Sequence, residues 1–388
     1  MVPAPQDPFV TIDIQPVGFG PRDLREFVDV QVRLYAGDPS FVPPIVSERV
    51  KFLSPDLNPF FAHARVQLFV ARRGGAAVGR IAAVEDRAYN AFHAARTGFF
   101  GMFDAPDDLE VARALVEAAA AWLKGRGMTE LVGPANLSTN HDCGLLVEGF
   151  DDPPAMMMPY NFPYYSRLCE GAGLVKAKDL WSYHLPVIVS PPEKVIRVAE
   201  RLRDADDVRI RPLRLHEQGK ELQRIKAIYD ASQDPAMEFA PMSQAEFDFI
   251  ARRLRPLAFL RPELCYFAEV DEEPVACSLT FPDFNVALRA ARGRLNPAGL
   301  ARMLWAAQRI DRLRVLWMGV RPGYRRRGLD AALCLHTMRA ARRLGYREWE
   351  IGWTPEDNNS INHWLEDFGA RRHKVYRLYR RSLAPGEA

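Results

Sequence analysis

Leu316-Trp317-Met318-Gly319-Val320-Arg321-Pro322-Gly323-Tyr324-Arg325-Arg326-Arg327-Gly328-Leu329-Asp330-Ala331-Ala332-Leu333 is an apolar run that stops at Pro322, crosses an arginine-rich loop and enters a helical pattern. The order predicts a strand, an anion-binding loop and a helix. Gly328 lets backbone come close to a ligand, and the first amides of the following helix have no acceptor inside it, so they face whatever occupies the loop. That makes a cradle for a diphosphate. Arg321, Arg325, Arg326 and Arg327 add fixed positive charge whose planar forks match phosphate oxygens.

Leu329 to Leu344 carries Leu329, Leu333, His336, Ala340 and Leu344 on one stripe, and Gly345 stops the helix. Arg347 to Trp353 predicts a second strand. The loop Thr354 to Ser360 holds capping side chains ahead of a helix over Ile361 to Phe368, closed by Gly369. Strand, helix and strand are short enough to form one parallel crossover, which puts the arginine loop at the carboxyl end of the first strand.

Val320 to Leu329 resembles the acetyl-CoA loop of the GNAT (N-acetyltransferase) superfamily, in which Arg or Gln is followed by x-x-Gly-x-Gly/Ala; Arg325 and Gly328 fall on that pattern. Asn358, eleven residues ahead of Gly369, is similar to the Asn that opens the superfamily's fourth helix. The resemblance implies acetyl-CoA or another acyl-CoA as co-substrate, with no metal. It also implies pantetheine paired to main chain near Met318 and Val320 and pyrophosphate held by Arg325, Arg326, Arg327 and Gly328. Two positions depart from the pattern: Asp330 replaces the second small residue, and Leu365 stands where many members hold a tyrosine acid. Over roughly residues 10 to 382 the chain resembles tandem GNAT-like proteins, through Gly144 to Phe150, Met158 to Tyr165 and the loop itself.

The repeat is legible in the residues. Val66 to Arg72 and Ala76 to Val84 predict a hairpin across Arg73-Gly74-Gly75, and Leu264 to Val270 with Pro274 to Thr280 predicts another. Gly98 to Phe103 is a strand and Leu109 to Leu123 a helix. Glu217 to Ala231, Gln244 to Leu254 and a segment near Ala298 to Arg309 are further helices. Gly173, Lys178 and Tyr183 share the mutual spacing of Gly369, Lys374 and Tyr379. The expected fold is therefore α/β, two tandem GNAT-like units, each a mixed, mostly antiparallel sheet with flanking helices. The expected bounds are 1–185 for a unit lacking the phosphate loop, 186–207 for a proline-marked linker, and 208–388 for the unit with the acyl-CoA loop. In the first unit Asp104, Asp107 and Asp108 stand where the second is basic, so phosphate is repelled there.

Composition narrows the functional class. With 388 residues, 48% hydrophobic and 26% charged, the chain reads as globular and long enough for more than one core. A net charge of +3, with basic density confined to 321–347 and 371–381, suits one anionic ligand and excludes nucleic acid as a partner. Five scattered cysteines lack zinc or disulfide spacing, and no apolar run approaches ~20 residues, so the expectation is a cytoplasmic protein without a membrane partner.

For acyl transfer to a neutral amine, Glu350 is the candidate base, because strand alternation aims Glu348 and Glu350 at one face; Tyr376 and Tyr379 are the candidate acids in place of Leu365. Asn136, His141, Tyr160, Asn161, Tyr164 and Tyr165, beside Met156 to Met158, form a candidate acceptor site. The expected function is acyl-CoA-dependent N-acylation, acetyl first, of an amine on a small molecule or a protein terminus. The alternative is a non-catalytic CoA- or nucleotide-binding or scaffolding protein, which Asp330 and Leu365 would suit.

Overall fold

The computed structural model describes residues 11–203, 207–232, 239–293 and 296–384. Two compact units divide the chain: one comprises Met1–Val147, Pro159–Ala177 and Arg377–Ala388, the other Glu148–Met158 and Lys178–Tyr376.

The first unit runs β1 (Ile12–Val17), α1 (Pro21–Leu34), α2 (Val46–Leu53), β2 (Ala64–Arg73), β3 (Ala76–Asp86), α3 (Arg87–His93), β4 (Thr97–Asp104), α4 (Leu109–Lys124) and β5 (Glu130–Gly133). Its sheet order is β1-β2-β3-β4-β5, antiparallel except that β4 and β5 are parallel. All eight residues of β4 are buried, as a strand covered on both faces requires. Helix α4 begins where the Asp108 carboxylate accepts from the amides of Glu110 and Val111, and it buries Val111, Ala112, Leu115, Val116, Ala119 and Leu123. The acidic segment that replaces a phosphate loop is spoken for: Asp104 pairs with buried Arg80 at 2.7 Å, Asp108 with Arg73 at 2.7 Å, and Asp107 with Arg167.

Next come β6 (Leu145–Glu148), α5 (Tyr165–Gly171), β7 (Val175–Pro186), α6 (Glu193–Arg203), β8 (Val208–Pro212), α7 (Gln218–Ser232), α8 (Gln244–Leu260), β9 (Tyr266–Val270) and β10 (Glu273–Pro282). They are followed by α9 (Asn285–Ala291), α10 (Pro297–Ala307), β11 (Arg312–Val320), α11 (Leu329–Arg343), β12 (Glu348–Pro355), α12 (Asn359–Asp367) and β13 (Arg371–Ser382). The second unit's sheet has the order β7-β12-β11-β10-β9-β8, again antiparallel except for the parallel pair β11 and β12. The expected repeat is thus present strand for strand.

The closing strands depart from the contiguous bounds 1–185 and 208–388. Residues Leu180 to Pro186 of β7, which end the first repeat in sequence, pair with β12 in the second unit. Tyr379 to Ser382 of β13, which end the second repeat, pair with β5 in the first. Each sheet is completed by the other repeat's last strand, which is why the equivalent triads Gly173-Lys178-Tyr183 and Gly369-Lys374-Tyr379 recur. The expected linker 186–207 also contains helix α6. Its Val195 and Leu202 pack on the core around Leu329 and Leu333, and its Ala199 on Ala332 and Leu335, which gives the segment an apolar stripe worth ordering.

Candidate active site

Strands β11 and β12 pair at only four positions, Arg312 with Glu348 through Val315 with Ile351, and then part company. Each carries an irregularity at that point. Against β10 the register moves so that Val315 and Trp317 face consecutive residues and Leu316 is extra; against β7 the shift between Gly352 and Thr354 leaves Trp353 extra. A bulge bends its strand and releases backbone groups from the ladder. The Arg321 amide bonds the Val275 carbonyl at 2.9 Å, so antiparallel alternation turns the Gly319 main chain toward β10 and the main chain of Met318 and Val320 toward the opening.

Beyond Val320 the chain makes a tight turn at Pro322–Tyr324, and then Arg326 and Gly328 take φ of 63° and 83°. Gly328 caps α11, whose first internal bond is from Ala332 to the Gly328 carbonyl, so the amides of Leu329, Asp330 and Ala331 precede the ladder. Arg325, Arg326 and Arg327 are exposed. Arg325 donates to the Ser232 carbonyl at 3.3 Å, Arg327 pairs with Asp207 at 3.1 Å, and Arg321 pairs with Glu273. A side chain at Gly328 would meet Val198 of α6, whose Cγ1 lies 2.2 Å from an ideal Cβ position. Among protein atoms the close approach that the glycine permits is therefore made by α6. Asp330 is half-buried in the first helical turn, Asn358 caps α12 by accepting from the Ile361 amide at 3.3 Å, and Leu365 is buried in the core.

Below the opening, on the sheet face away from Trp349 and α11, lies a buried polar cluster. Parallel register sets Arg314 beside Glu350. Glu350 is fully buried; Ser182 donates to its Oε1 at 2.6 Å, Lys374 Nζ stands 3.8 Å away, and Oε2 has no protein partner among the described residues. Asp152 receives a bidentate pair from Arg312 at 2.8 Å, Lys374 at 2.6 Å and His373 at 3.1 Å. Burial would raise the Asp152 carboxyl, but hydrogen bonds from His373 and Arg312 and the charge of Lys374 hold it well below the usual carboxylate range. The Tyr376 phenol is fully buried and pushed far up, first by burial and then by Glu350. Burial likewise lowers Arg314, partly offset by Glu350.

Asp152, Glu350 and His373 bring one ligand atom each within 4.8 Å of one another. Arg312 and Lys374 already supply the positive charge that a cation would bring, so the set is built as an ion-pair network. Asp283, also buried, accepts from the amides of Met156 at 2.8 Å and Asn285 at 3.2 Å, and burial pushes it up to about 6. A carboxyl raised in the fold contributes stability in full below its unfolded pKa of about 3.9 and loses it as pH rises through 6. The stability advantage of Asp283→Asn over wild type is accordingly expected to grow between about pH 4 and pH 6 in stepwise denaturation. A gap constant across that range would contradict it.

Of the catalytic candidates, Glu350 and Tyr376 thus fall in one cluster, while Tyr379 lies on the stretch of β13 that pairs with β5. Asp152 lies in the polar stretch 136–165 that the sequence marks as a candidate site, and Lys374 is marked there only as part of the repeat; Ser182, Asp283, Arg312, Arg314 and His373 were not singled out, and the signal available was the pair Arg312/Arg314 against Glu348/Glu350 on adjacent strands. The acceptor candidates sit in the first unit with their polar atoms engaged there. Asn136 accepts from Met102, His141 bonds Ser138, Tyr160 donates to Asp38, Asn161 bonds both main-chain groups of Leu146, Tyr164 donates to the Ala105 carbonyl and Tyr165 accepts from the Ala105 amide. Turn and core geometry thus uses the same amides and phenols that a ligand would.

A split between parallel strands, a loop of free helix amides at its rim and a buried acid below it define a fold for acyl transfer from a thioester carrier. Residues 225–370 match the acetyltransferase (GNAT) family. The chain is 35% identical to a bacterial ceramide synthase of Caulobacter vibrioides, covering 94% of this chain and 96% of that one. It is 34% identical to protein YghO of Escherichia coli, covering 93% of each. A tandem GNAT protein from the clavulanic acid biosynthesis pathway superposes with a TM-score of 0.55 at 12% identity over 97% of this chain and all of that one, a likeness of fold. The chain belongs to the GNAT family and is an acyltransferase of tandem architecture.

Proposed function

We propose that this protein transfers an acyl group from acyl-CoA to the primary amine of a long-chain amino alcohol, giving an N-acyl lipid of the ceramide class. The observation that carries the reading is the whole-length similarity to the Caulobacter ceramide synthase, because an acceptor preference is a property of the complete chain. The site is consistent with it. Met156, Met157, Leu279, Phe281, Phe284 and Leu316 make an apolar cluster that includes the bulge residue, a wall suited to alkyl chains.

In this reading pantetheine pairs with the main chain of Met318 and Val320, and the pyrophosphate meets the helix amides and Arg325 to Arg327. Asn358 stays a helix cap, and Asp330 turns its carboxylate from the phosphates. Glu350 takes the ammonium proton, directly or through one water, as the amine nitrogen attacks the thioester carbonyl. The tetrahedral adduct collapses with cleavage of the C–S bond, its second nitrogen proton passes through water to the departing thiolate to give CoASH and the neutral amide, and Glu350 returns its proton to solvent. Tyr376, whose proton is held tightly, serves as a hydrogen-bond donor to developing negative charge rather than as a proton source. A cytoplasmic site of action is part of the proposal, supported by cysteines that are scattered along the chain without the spacing of a disulfide framework.

The test is incubation of the purified protein with acetyl-, octanoyl- and palmitoyl-CoA against a long-chain amino alcohol, a polyamine and a peptide with a free amino terminus. Mass spectrometry should find the N-acyl lipid as the dominant product. Acylation of the polyamine or peptide with no lipid product would overturn the assignment.

A further inference from the structure

Residues 285–310 hold five arginines, at 289, 292, 294, 302 and 309, and no aspartate or glutamate, in a chain whose net charge is +3. Within this stretch Asn285–Ala291 and Pro297–Ala307 form the pair α9 and α10, which pack on each other. Their buried positions are the small ones, Ala287, Ala291, Gly299 and Ala306. Three large apolar side chains of α10 face outward: Leu300 is 43% exposed, Leu304 57% and Trp305 57%, while Val286, Leu288 and Met303 are half-buried. Leu300 and Leu304 are one helical turn apart with Trp305 beside them, so the three make one face. A helix facing water places large apolar residues inward; this one is reversed. Arg292, Arg302 and Arg309 are exposed around that face, and the Arg309 guanidinium lies 3.5 Å over the Trp305 ring.

From this arrangement we infer that the α9–α10 hairpin is a docking surface for an anionic lipid bilayer. Leucine and tryptophan enter the headgroup boundary while arginines meet anionic headgroups. A nucleic acid would use the arginines but not the leucine and tryptophan face. The expectation of no membrane partner rested on the lack of a spanning segment. Among the described residues no helix is long and apolar enough to cross a membrane, but a hairpin lying on the surface needs none.

The hairpin is also tied to the site. It starts two residues after Asp283 and ends before Arg312, and Asn285 donates to the Pro154 carbonyl at 2.9 Å beside Asp152. Docking would therefore present a bilayer-borne amine to the face that holds Glu350, a step that rests on the proposed substrate class, whereas docking itself rests on the hairpin alone.

The experiment is co-sedimentation of the full chain with phosphatidylcholine vesicles, with and without phosphatidylglycerol. Wild type is compared with Leu304→Glu/Trp305→Glu, with the milder Leu304→Ala/Trp305→Ala and with Arg302→Gln/Arg309→Gln, all at exposed positions. Binding should require phosphatidylglycerol, fall by about a hundredfold in the Glu pair and clearly in the Ala pair, and fall about twentyfold in the Arg pair. Circular dichroism and CoA binding should be unchanged. Turnover of a vesicle-borne amine should fall with binding, while turnover of a water-soluble amino alcohol stays constant. Binding indifferent to Leu304 and Trp305, or a dimer that the Glu pair dissociates without change in vesicle binding, overturns the inference. Vesicle binding with no amine acylated upholds docking and removes the substrate reading.

Discussion

Glu350→Gln is expected to lower kcat with acyl-CoA and amine by ~10²–10⁴-fold, the usual worth of a positioned general base. The substitution is nearly isosteric, and the glutamine carbonyl still accepts from Ser182, now 2.6 Å from Oε1. What disappears is the capacity of the unpartnered Oε2 to take a proton. Because the change is confined to proton uptake, affinity for CoA should stay close to wild type. Steady-state kinetics with calorimetric CoA binding separates the two effects; a variant with kcat within about threefold of wild type would remove Glu350 from the chemistry.

Asp152→Ala should destabilise the second unit by about 3–5 kcal/mol, because it strips the carboxylate from Lys374, which is fully buried, and from Arg312. The buried ammonium then keeps Glu350 at 3.8 Å and the Pro153 carbonyl at 3.3 Å, and losing its closest carboxylate is costlier than any packing lost with the small side chain. A chain of two units does not promise one cooperative transition, so hydrogen exchange along β12 is the better reporter than a single melting temperature. Protection of Glu350 and Ile351 falling by less than about tenfold would show that Lys374 finds another partner. At low pH the same weakness should surface in wild type. The Asp152 contribution is present above its unfolded pKa and lost as pH falls through and below that value, because its folded carboxyl is held down.

Local chemistry made much of the fold readable. The hairpin glycines Gly74 and Gly75, the stripe on α4, and the strand-loop-helix order from Leu316 to Leu333 each act over a few residues, and the structure has them at those places. The exchange of closing strands was beyond reach, since Leu180 to Pro186 would satisfy either repeat's sheet equally well by its alternation, and only tertiary pairing decides. The site divides in the same way. That Glu350 shares a strand face with Glu348 could be read because alternation on one strand selects a face. The partners of Asp152 could not be read, because it meets Arg312 and Lys374 from 160 and 222 residues away. For the aromatic and amide crowd at Asn136 to Tyr165 the sequence leaves both roles open, because composition cannot tell a phenol that binds a ligand from one that bonds Ala105. Helix α6 hid behind Pro191 and Pro192, which mark a linker and equally well start a helix.

The parting of β11 and β12, with the loop after Val320, is the expected seat of the acyl-CoA. Calorimetric titration with acetyl-CoA and with CoA lacking its 3′-phosphate, on wild type and on Arg325→Ala/Arg327→Ala, measures it most directly. The account predicts binding in the ~1–100 μM range that weakens at least about tenfold without the two arginines. Equal affinity with and without them, or no heat from any CoA species, would contradict it.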